Sequence, residues 1–354
     1  MNDEPVAVAP FTYELPADRI AQRPVHPPEA AKMLVVEPGR PLSAALFSDL
    51  NDFLRPGDLL VFNQTRVAPA RLRGSIEGSG AAVEFLLVSR SGEDCWICLA
   101  KPLKKLKPGV RVLCGESLIG IVKERAGEKE ILVSFSAVDS RRSLLEVVEA
   151  AGEMPIPPYI RRGQADTQDR SDYQSIFAKV PGSIAAPTAS LHFSEALISH
   201  LKERGVQTAG VLLHLGTASF LPIYAPEEST ELRAPGVEWY QHSTDLLRQI
   251  AVTREQGGRV FAVGTSVVRA LESMARTEAE DGQMLESALF IRPGFEFRLL
   301  DGIITNFHQP GTTHLLLVEA FVGAEQLSRM YKYALENDFR FLSYGDGMLL
   351  LPSA

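Results

Sequence analysis

The chain has no apolar stretch approaching the roughly 18 consecutive residues needed to span a bilayer. Its first ten residues, Met1 to Pro10, lack the basic start and apolar run of a secretory leader. A cytoplasmic protein with no membrane attachment is expected. Cysteine is scarce: there are three in 354 residues, where a secreted chain of this size more often pairs all its thiols. Cys95 and Cys98 have the spacing of a redox or zinc half-site, yet they lie in an apolar run that reads as strand, where positions i and i+3 face opposite ways. Cys114 offers one further thiol, and all three are read as structural. The seven histidines show neither i,i+4 nor short-loop spacing, so no metal is expected. Also missing are a dinucleotide glycine fingerprint, the lysine of a phosphate loop and a serine elbow, which argues against Rossmann, nucleotide-triphosphatase and serine-hydrolase chemistry.

A formal net charge of −8 disfavours indiscriminate nucleic-acid binding and leaves room for a local basic surface. One is visible. Lys101, Lys104, Lys105, Lys107 and Arg111 lie close together, and Arg161 and Arg162 follow the proline-rich run Met154 to Tyr159. Such a turn is either a solvated loop between strands or a phosphate-binding surface.

With 45% hydrophobic and 23% charged residues the chain is globular, large enough for one large or two ordinary domains. Residues 71–153 are built of short β-rich runs, Val83 to Val88, Trp96 to Leu99, Val110 to Leu113 and Ile131 to Phe135, separated by Gly, Ser and Lys turns. This predicts an antiparallel barrel or sandwich. Residues 1–70 and 154–354 read as one mixed α/β domain that this insertion interrupts. Ser194 is placed to cap a helix carrying Leu197, Ile198 and Leu201 and stopping at Gly205, with Val211 to Leu213 as a buried strand after it. A second helix runs from about Thr244 to the Gly257-Gly258 break, Arg259 to Val263 forms a strand leading into a helix over Val267 to Met274, and a last helix covers about Ala324 to Glu336.

Four polar turns are candidates for chemistry. Residues 181–194 mix prolines, glycine, hydroxyls and an imidazole in a segment with no apolar period, a shaped loop offering Thr188, Ser190 and His192. Asn63, Thr65 and Arg66 follow the apolar run Asp58 to Phe62, either lining a crevice or forming a buried ion pair. Gly264-Thr265-Ser266 is a strand-to-helix turn that either cradles an anion or caps the helix. Thr305 to Pro310 holds His308 on an irregular backbone. His308 and His192 are the two imidazoles singled out as acid or base, and His214, behind a buried strand, reads as a satisfied core histidine.

Taken together, several segments resemble the S-adenosylmethionine:tRNA ribosyltransferase-isomerase family of queuosine biosynthesis. They include Asn63-Gln-Thr-Arg-Val-Ala-Pro-Ala-Arg-Leu72, Gly152-Glu-Met-Pro-Ile-Pro-Pro-Tyr-Ile160 and Ala185-Ala-Pro-Thr-Ala-Ser-Leu-His-Phe193. Val263-Gly-Thr-Ser-Val-Val-Arg269, Asp301-Gly-Ile-Ile-Thr-Asn-Phe-His308 and Phe341-Leu-Ser-Tyr-Gly-Asp-Gly-Met348 extend the likeness nearly end to end. The resemblance implies an α/β domain with an inserted β-barrel. It further implies transfer and rearrangement of the ribosyl part of S-adenosylmethionine onto 7-aminomethyl-7-deazaguanine at the tRNA wobble position, giving epoxyqueuosine with loss of adenine and methionine. On it, His192 and His308 are candidates for proton transfer. Arg66 and Arg269 are candidates for a carboxylate or phosphate, and Asn63, Thr65, Thr188, Thr265 and Asn306 for the pocket. Lys101, Lys104, Lys105, Lys107 and Arg161 become candidate tRNA contacts. The implied partners are tRNA and S-adenosylmethionine as co-substrate, with no other cofactor and the chain acting as a monomer.

The pattern departs from the family at Gln64, at Ala218 and Ser219, over Arg233 to Glu238 with Gly236, and at Gly311 and His314. Two readings follow: the family enzyme with compensated changes, or a divergent paralogue that keeps the fold and ligand binding with the reaction lost or altered. A conventional methyltransferase fits poorly, because residues 33–66 lack a glycine-rich turn followed by an acidic strand end.

Overall fold

The computed structural model describes residues 11–216 and 234–351, so Ala218, Ser219 and Arg233 lie outside the described residues. The chain forms two compact units, one of residues 1–66, 174–180 and 186–354, the other of residues 67–173 and 181–185. The architecture is an α/β domain with an inserted antiparallel barrel, as the texture of the sequence predicts.

The first unit is organised on a seven-stranded sheet of order β12-β3-β15-β17-β18-β1-β2. Its members are β1 (Lys32–Val36), β2 (Ser43–Leu46), β3 (Leu59–Asn63), β12 (Gln207–Val211), β15 (Val260–Val263), β17 (Gly302–Asn306) and β18 (Gly347–Leu350). The four strands β12, β3, β15 and β17 run parallel, and β18 turns against β17. Every residue of β3, β15 and β17 is buried, the signature of parallel strands covered on both faces. On one face Leu60, Phe62, Phe261, Val263, Ile304 and Leu349 pack into a common core, with Phe62 stacked on Phe177 at 3.7 Å between ring centroids. The helices α3 (Glu195–Glu203), α4 (Thr244–Glu255), α5 (Thr265–Met274), α6 (Thr313–Val322) and α7 (Ala324–Glu336) complete the layers. Ser194 caps α3 by accepting from Leu197 N at 3.1 Å, and Ser243 caps α4 in the same way. A three-stranded sheet of β13 (Leu213–His214), β14 (Glu238–Gln241) and β16 (Met284–Ser287) also belongs to this unit. The strand expected over Val211 to Leu213 is therefore two: β12 ends at Val211, and the chain changes sheet at Leu212.

The second unit is a closed barrel of order β10-β7-β6-β5-β8-β9. Its strands are β5 (Arg71–Ile76), β6 (Ala82–Arg90), β7 (Cys95–Lys101), β8 (Arg111–Cys114), β9 (Leu118–Arg125) and β10 (Glu130–Ala137). Closure removes every free edge. Short strands β4 (Thr65–Val67) and β11 (Val180–Ser183) carry the chain into and out of it, and α1 (Leu144–Ala151) is capped by Ser143. Residues 154–173, expected with the main domain, pack with the barrel. The reason is Arg71, whose guanidinium donates to Gly163 O at 2.6 Å and Ile156 O at 3.1 Å, with α2 (Asp169–Asp172) nearby in the same unit. Cys98 and Cys114 are buried in the barrel core while Cys95 faces the other way, and burial pushes the Cys114 thiol up to about 12. That environment suits inert structural thiols.

Candidate active site

Phe62 pairs with Val263 and Val263 with Ile304, so the carboxyl ends of β3, β15 and β17 finish within two residues of one another, Asn63 and Asn306 lying one and two residues beyond the end of β15. In the sheet β3 lies between β12 and β15; after β12 is added on one side of β3 the chain crosses to add β15 on the other, which is the strand-order reversal where α/β sheets open a crevice. At about 4.8 Å per strand spacing, the ends of β3 and β17 stand about 10 Å apart.

Asn63 closes β3 and is fully buried. Its Oδ1 accepts from Thr65 N at 3.1 Å and Leu213 N at 3.2 Å, and its Nδ2 donates to Leu213 O at 2.9 Å and Ser266 Oγ at 3.2 Å. All four ordinary bonding positions of the amide are thereby used to tie three chain segments together. Thr65 is buried beside it, with its Oγ1 2.9 Å from His214 Nδ1. Arg66 is exposed, which removes it from any buried ion pair.

Gly264 ends β15 at φ 97°, a left-handed conformation that favours glycine, and serves as N-cap of α5. Thr265 and Ser266 are thus the first residues of the helix, and neither side chain caps it. The turn expected to be irregular over 181–194 contains a 3-10 helix, Thr188–His192, because the proline at 187 sets its entry and Ser190 N closes back on Pro187 O. This turn approaches Gly264 closely, a Cβ there falling 3.7 Å from Ala189 Cβ. Thr188 is half-buried; Ser190 Oγ and Asn306 Oδ1 are buried without a hydrogen-bond partner.

Thr305 and Asn306 leave the tip of β17 on opposite faces of the sheet, and each takes one of the two expected imidazoles. Asn306 Nδ2 lies 3.3 Å from His192 Nε2 and donates to Leu342 O at 3.0 Å. An amide donor at Nε2 needs a lone pair there, so His192 is assigned the Nδ1–H tautomer. Its ring stacks on Phe47 at 4.1 Å, and burial, aided by the Arg340 charge, drives its pKa down to about 3. On the other side Thr305 Oγ1 lies 3.1 Å from His308 Nε2. His308 is fixed through its backbone by Tyr331 and Tyr13, and its ring stacks on His314 with centroids 5.3 Å apart. Burial holds His308 well below the ordinary imidazole value, and His314 down to about 4. His214 is half-buried and shifted downward by burial alone.

Arg269 lies on α5 with its guanidinium committed: it forms an ion pair with Glu238 and donates to Ser287 O at 3.3 Å and Gly236 O at 3.4 Å. Arg269, Phe290, Thr313 and His314 line one cavity, and Leu191, His192, Ser343 and Tyr344 another. In the barrel unit Lys101, Lys104, Lys105 and Lys107 are all exposed, whereas Arg111 pairs with Glu77 and Arg161 is engaged by the buried Asp169. Among the described residues no three His, Cys, Asp or Glu side chains gather as metal ligands, and no helix is long and apolar enough to cross a membrane.

The structure therefore brings Asn63, Thr65, Thr188, Thr265, His192, Asn306 and His308 to the ends of three adjacent strands. It adds His214, which the sequence alone assigns to the core. The signal for it is its distance of one residue past a buried run, where a polar side chain can turn back over the sheet.

The neutral imidazoles predict acid sensitivity. An unfolded His192 takes up its proton near 6.5 and the folded one only near 3, so the unfolded state binds more protons between these values. The contribution of His192 to stability is full above pH 6.5 and is lost as pH falls towards 3, at up to about 1.4 kcal/mol per pH unit. Urea midpoints measured across this window are expected to fall less steeply in His192→Asn than in the parent.

A profile of the family described as queuosine biosynthesis protein matches residues 8–350. The S-adenosylmethionine:tRNA ribosyltransferase-isomerase of Ruegeria pomeroyi is 41% identical, covering 97% of this chain and 98% of the relative. The protein of the same name from Dinoroseobacter shibae is 42% identical, with the same coverage. Among solved structures, S-adenosylmethionine tRNA ribosyltransferase from Thermotoga maritima is 32% identical and matches with a TM-score of 0.53 over 96% of this chain and 99% of that one. On nearly full-length matches of sequence and fold alike, the chain belongs to the queuosine biosynthesis protein family.

Proposed function

We propose that this chain transfers the ribosyl part of S-adenosylmethionine to 7-aminomethyl-7-deazaguanine in a tRNA anticodon and isomerises it, giving epoxyqueuosine and releasing adenine and methionine. The observation that carries this reading is the gathering of the carboxyl ends of β3, β15 and β17, crowned by Asn63, Gly264 to Ser266, and Asn306. These residues stand in the segments by which the sequence resembles the family. A crevice of this kind suits a nucleoside, and buried oxygens on Ser190 and Asn306 offer it hydrogen-bond partners.

The sulfonium of the co-substrate acidifies its neighbouring 5′ carbon, and a neutral imidazole is the side chain suited to take that proton. His214 is assigned this step. It is unprotonated at neutral pH, oriented by Thr65, and less deeply enclosed than His192. His308, neutral and held by Thr305, is assigned to the departing adenine. His192 orients Asn306, and its Nε2 takes a proton only when that hydrogen bond opens. Arg66 meets the methionine carboxylate or an RNA phosphate, while Arg269 shapes the wall through Glu238. Thr188 and Thr265 line the crevice. The reaction needs no metal, and a monomer meets its tRNA in the cytoplasm.

The four lysines of the barrel unit bind tRNA phosphates. Replacing Lys101, Lys104, Lys105 and Lys107 by alanine is expected to weaken tRNA binding and flatten its dependence on salt. The slope of log K against log salt should fall by up to about 0.7–0.9 for each phosphate that is no longer neutralised. Arg161, already engaged by Asp169, contributes less.

The test of the function is adenine release from S-adenosylmethionine in the presence of tRNA carrying 7-aminomethyl-7-deazaguanine. Release that depends on both substrates is expected. Absence of release above a His308→Ala control, with S-adenosylmethionine still bound, identifies instead a paralogue that has kept the fold without the reaction.

A further inference from the structure

Among the described residues, the three-stranded sheet β13-β14-β16 has one closed face and one open face. Glu238 and Tyr240 point to the closed side, where α5 packs and Glu238 meets Arg269. Alternation along β14 sends Trp239 to the open side, 48% exposed, and Val237, just before the strand, is 50% exposed. Gln241 shares that face and stands opposite Met284, another exposed apolar side chain. His214 is the register partner of Trp239, and residues directly opposed on antiparallel strands share a face. The imidazole oriented by Thr65 at 2.9 Å therefore has an open indole as its cross-strand neighbour.

Single exposed apolar residues are ordinary on protein surfaces. Here an indole stands between His214 on β13 and the exposed Glu286 on β16, with Val237 and Met284 on the same face, and the histidine beside it is assigned to proton transfer. We infer that Trp239 is a stacking platform for a nucleobase of the tRNA at or beside the modified position. This inference rests on the function proposed above. Trp239 is half-open whereas Asn63, Ser266 and Asn306, which crown the strand ends assigned to the adenosyl group, are buried, so the base it receives belongs to the RNA. Its half-open surface suits a base splayed from a single-stranded loop, the usual object of aromatic stacking in RNA recognition.

The chain has two tryptophans, and Trp96 is buried in the barrel unit. In a Trp96→Phe background the indole emission therefore reports Trp239 alone. Titration with an anticodon stem-loop transcript is expected to quench it, and titration with S-adenosylmethionine to leave it unchanged. Trp239→Ala is expected to raise KM for tRNA about tenfold, with kcat and KM for S-adenosylmethionine near their parent values, and Trp239→Phe to recover most of the loss. Emission indifferent to saturating RNA, quenching by S-adenosylmethionine alone, or equal losses toward both substrates would overturn the inference. If the transcript quenches Trp239 while no adenine is ever released, the platform stands and the assigned reaction falls.

Discussion

His214→Ala is expected to lower adenine release by about two to four orders of magnitude, the range general-base groups contribute, while leaving affinity for tRNA near that of the parent. The size of the effect follows from the company His214 keeps. Its Nδ1 is bonded to Thr65 Oγ1, whose backbone N donates to Asn63, so the ring is aimed from the end of β3. His192 lies deeper, and a base whose conjugate acid forms only near pH 3 accepts a carbon-bound proton weakly; burial also holds His308 well below the ordinary imidazole value. Because burial lowers the His214 pKa, the acid limb of the kcat/KM profile should fall below pH 6.5. Single-turnover adenine release checks this. Parent-like rates in His214→Ala, with a large loss in His192→Ala instead, would move the base to the other side of β17.

The second large effect is structural. Arg269 and Glu238 form an ion pair with only 10% and 1% of their side chains exposed. Breaking such a pair leaves an uncompensated buried charge, and Arg269→Ala is expected to cost about 3–5 kcal/mol. Replacing both, as Arg269→Met with Glu238→Leu, should restore much of that stability, since no lone charge remains. Denaturant unfolding of the parent, the single and the double variants measures it. A single variant as stable as the parent would show that Arg269 is not part of the scaffold and return it to the residues that grip an anion. The closeness of Gly236, whose carbonyl accepts from Arg269, indicates that one of the departures from the family pattern lies in this scaffold.

How far each element is legible in the sequence follows from how it is buried. The barrel is legible because its strands alternate: Val83, Phe85 and Leu87 face inward with exposed or half-exposed neighbours between them. Helices α3 and α4 are legible from serine caps and glycine stops. Helix α6 is not, since Leu315, Leu316, Leu317 and Val318 are all buried and give no amphipathic period. Strand β18 is four residues, buried throughout, and indistinguishable by period from any short apolar run. At the site, the polar turns at Asn63, Gly264 and Thr305 are visible as residue types following apolar runs. That His192 and His308 sit on opposite sides of β17 is not, because it depends on the alternation of Thr305 and Asn306 at a strand end whose position no local signal marks. His214 is hidden for a related reason. The run Val211 to Leu213 reads as one strand, whereas the chain leaves the large sheet at Leu212 and turns His214 back toward Thr65.

On the proposed function, the carboxyl ends of β3, β15 and β17 hold the adenosyl group. A crystal structure of the chain with S-adenosylmethionine tests it most directly. The nucleoside is expected over Gly264, within hydrogen-bond reach of Ser190 Oγ or Asn306 Oδ1 and with its 5′ carbon turned toward His214. A nucleoside bound away from these strand ends, with Ser190 and Asn306 still unpartnered, would contradict it.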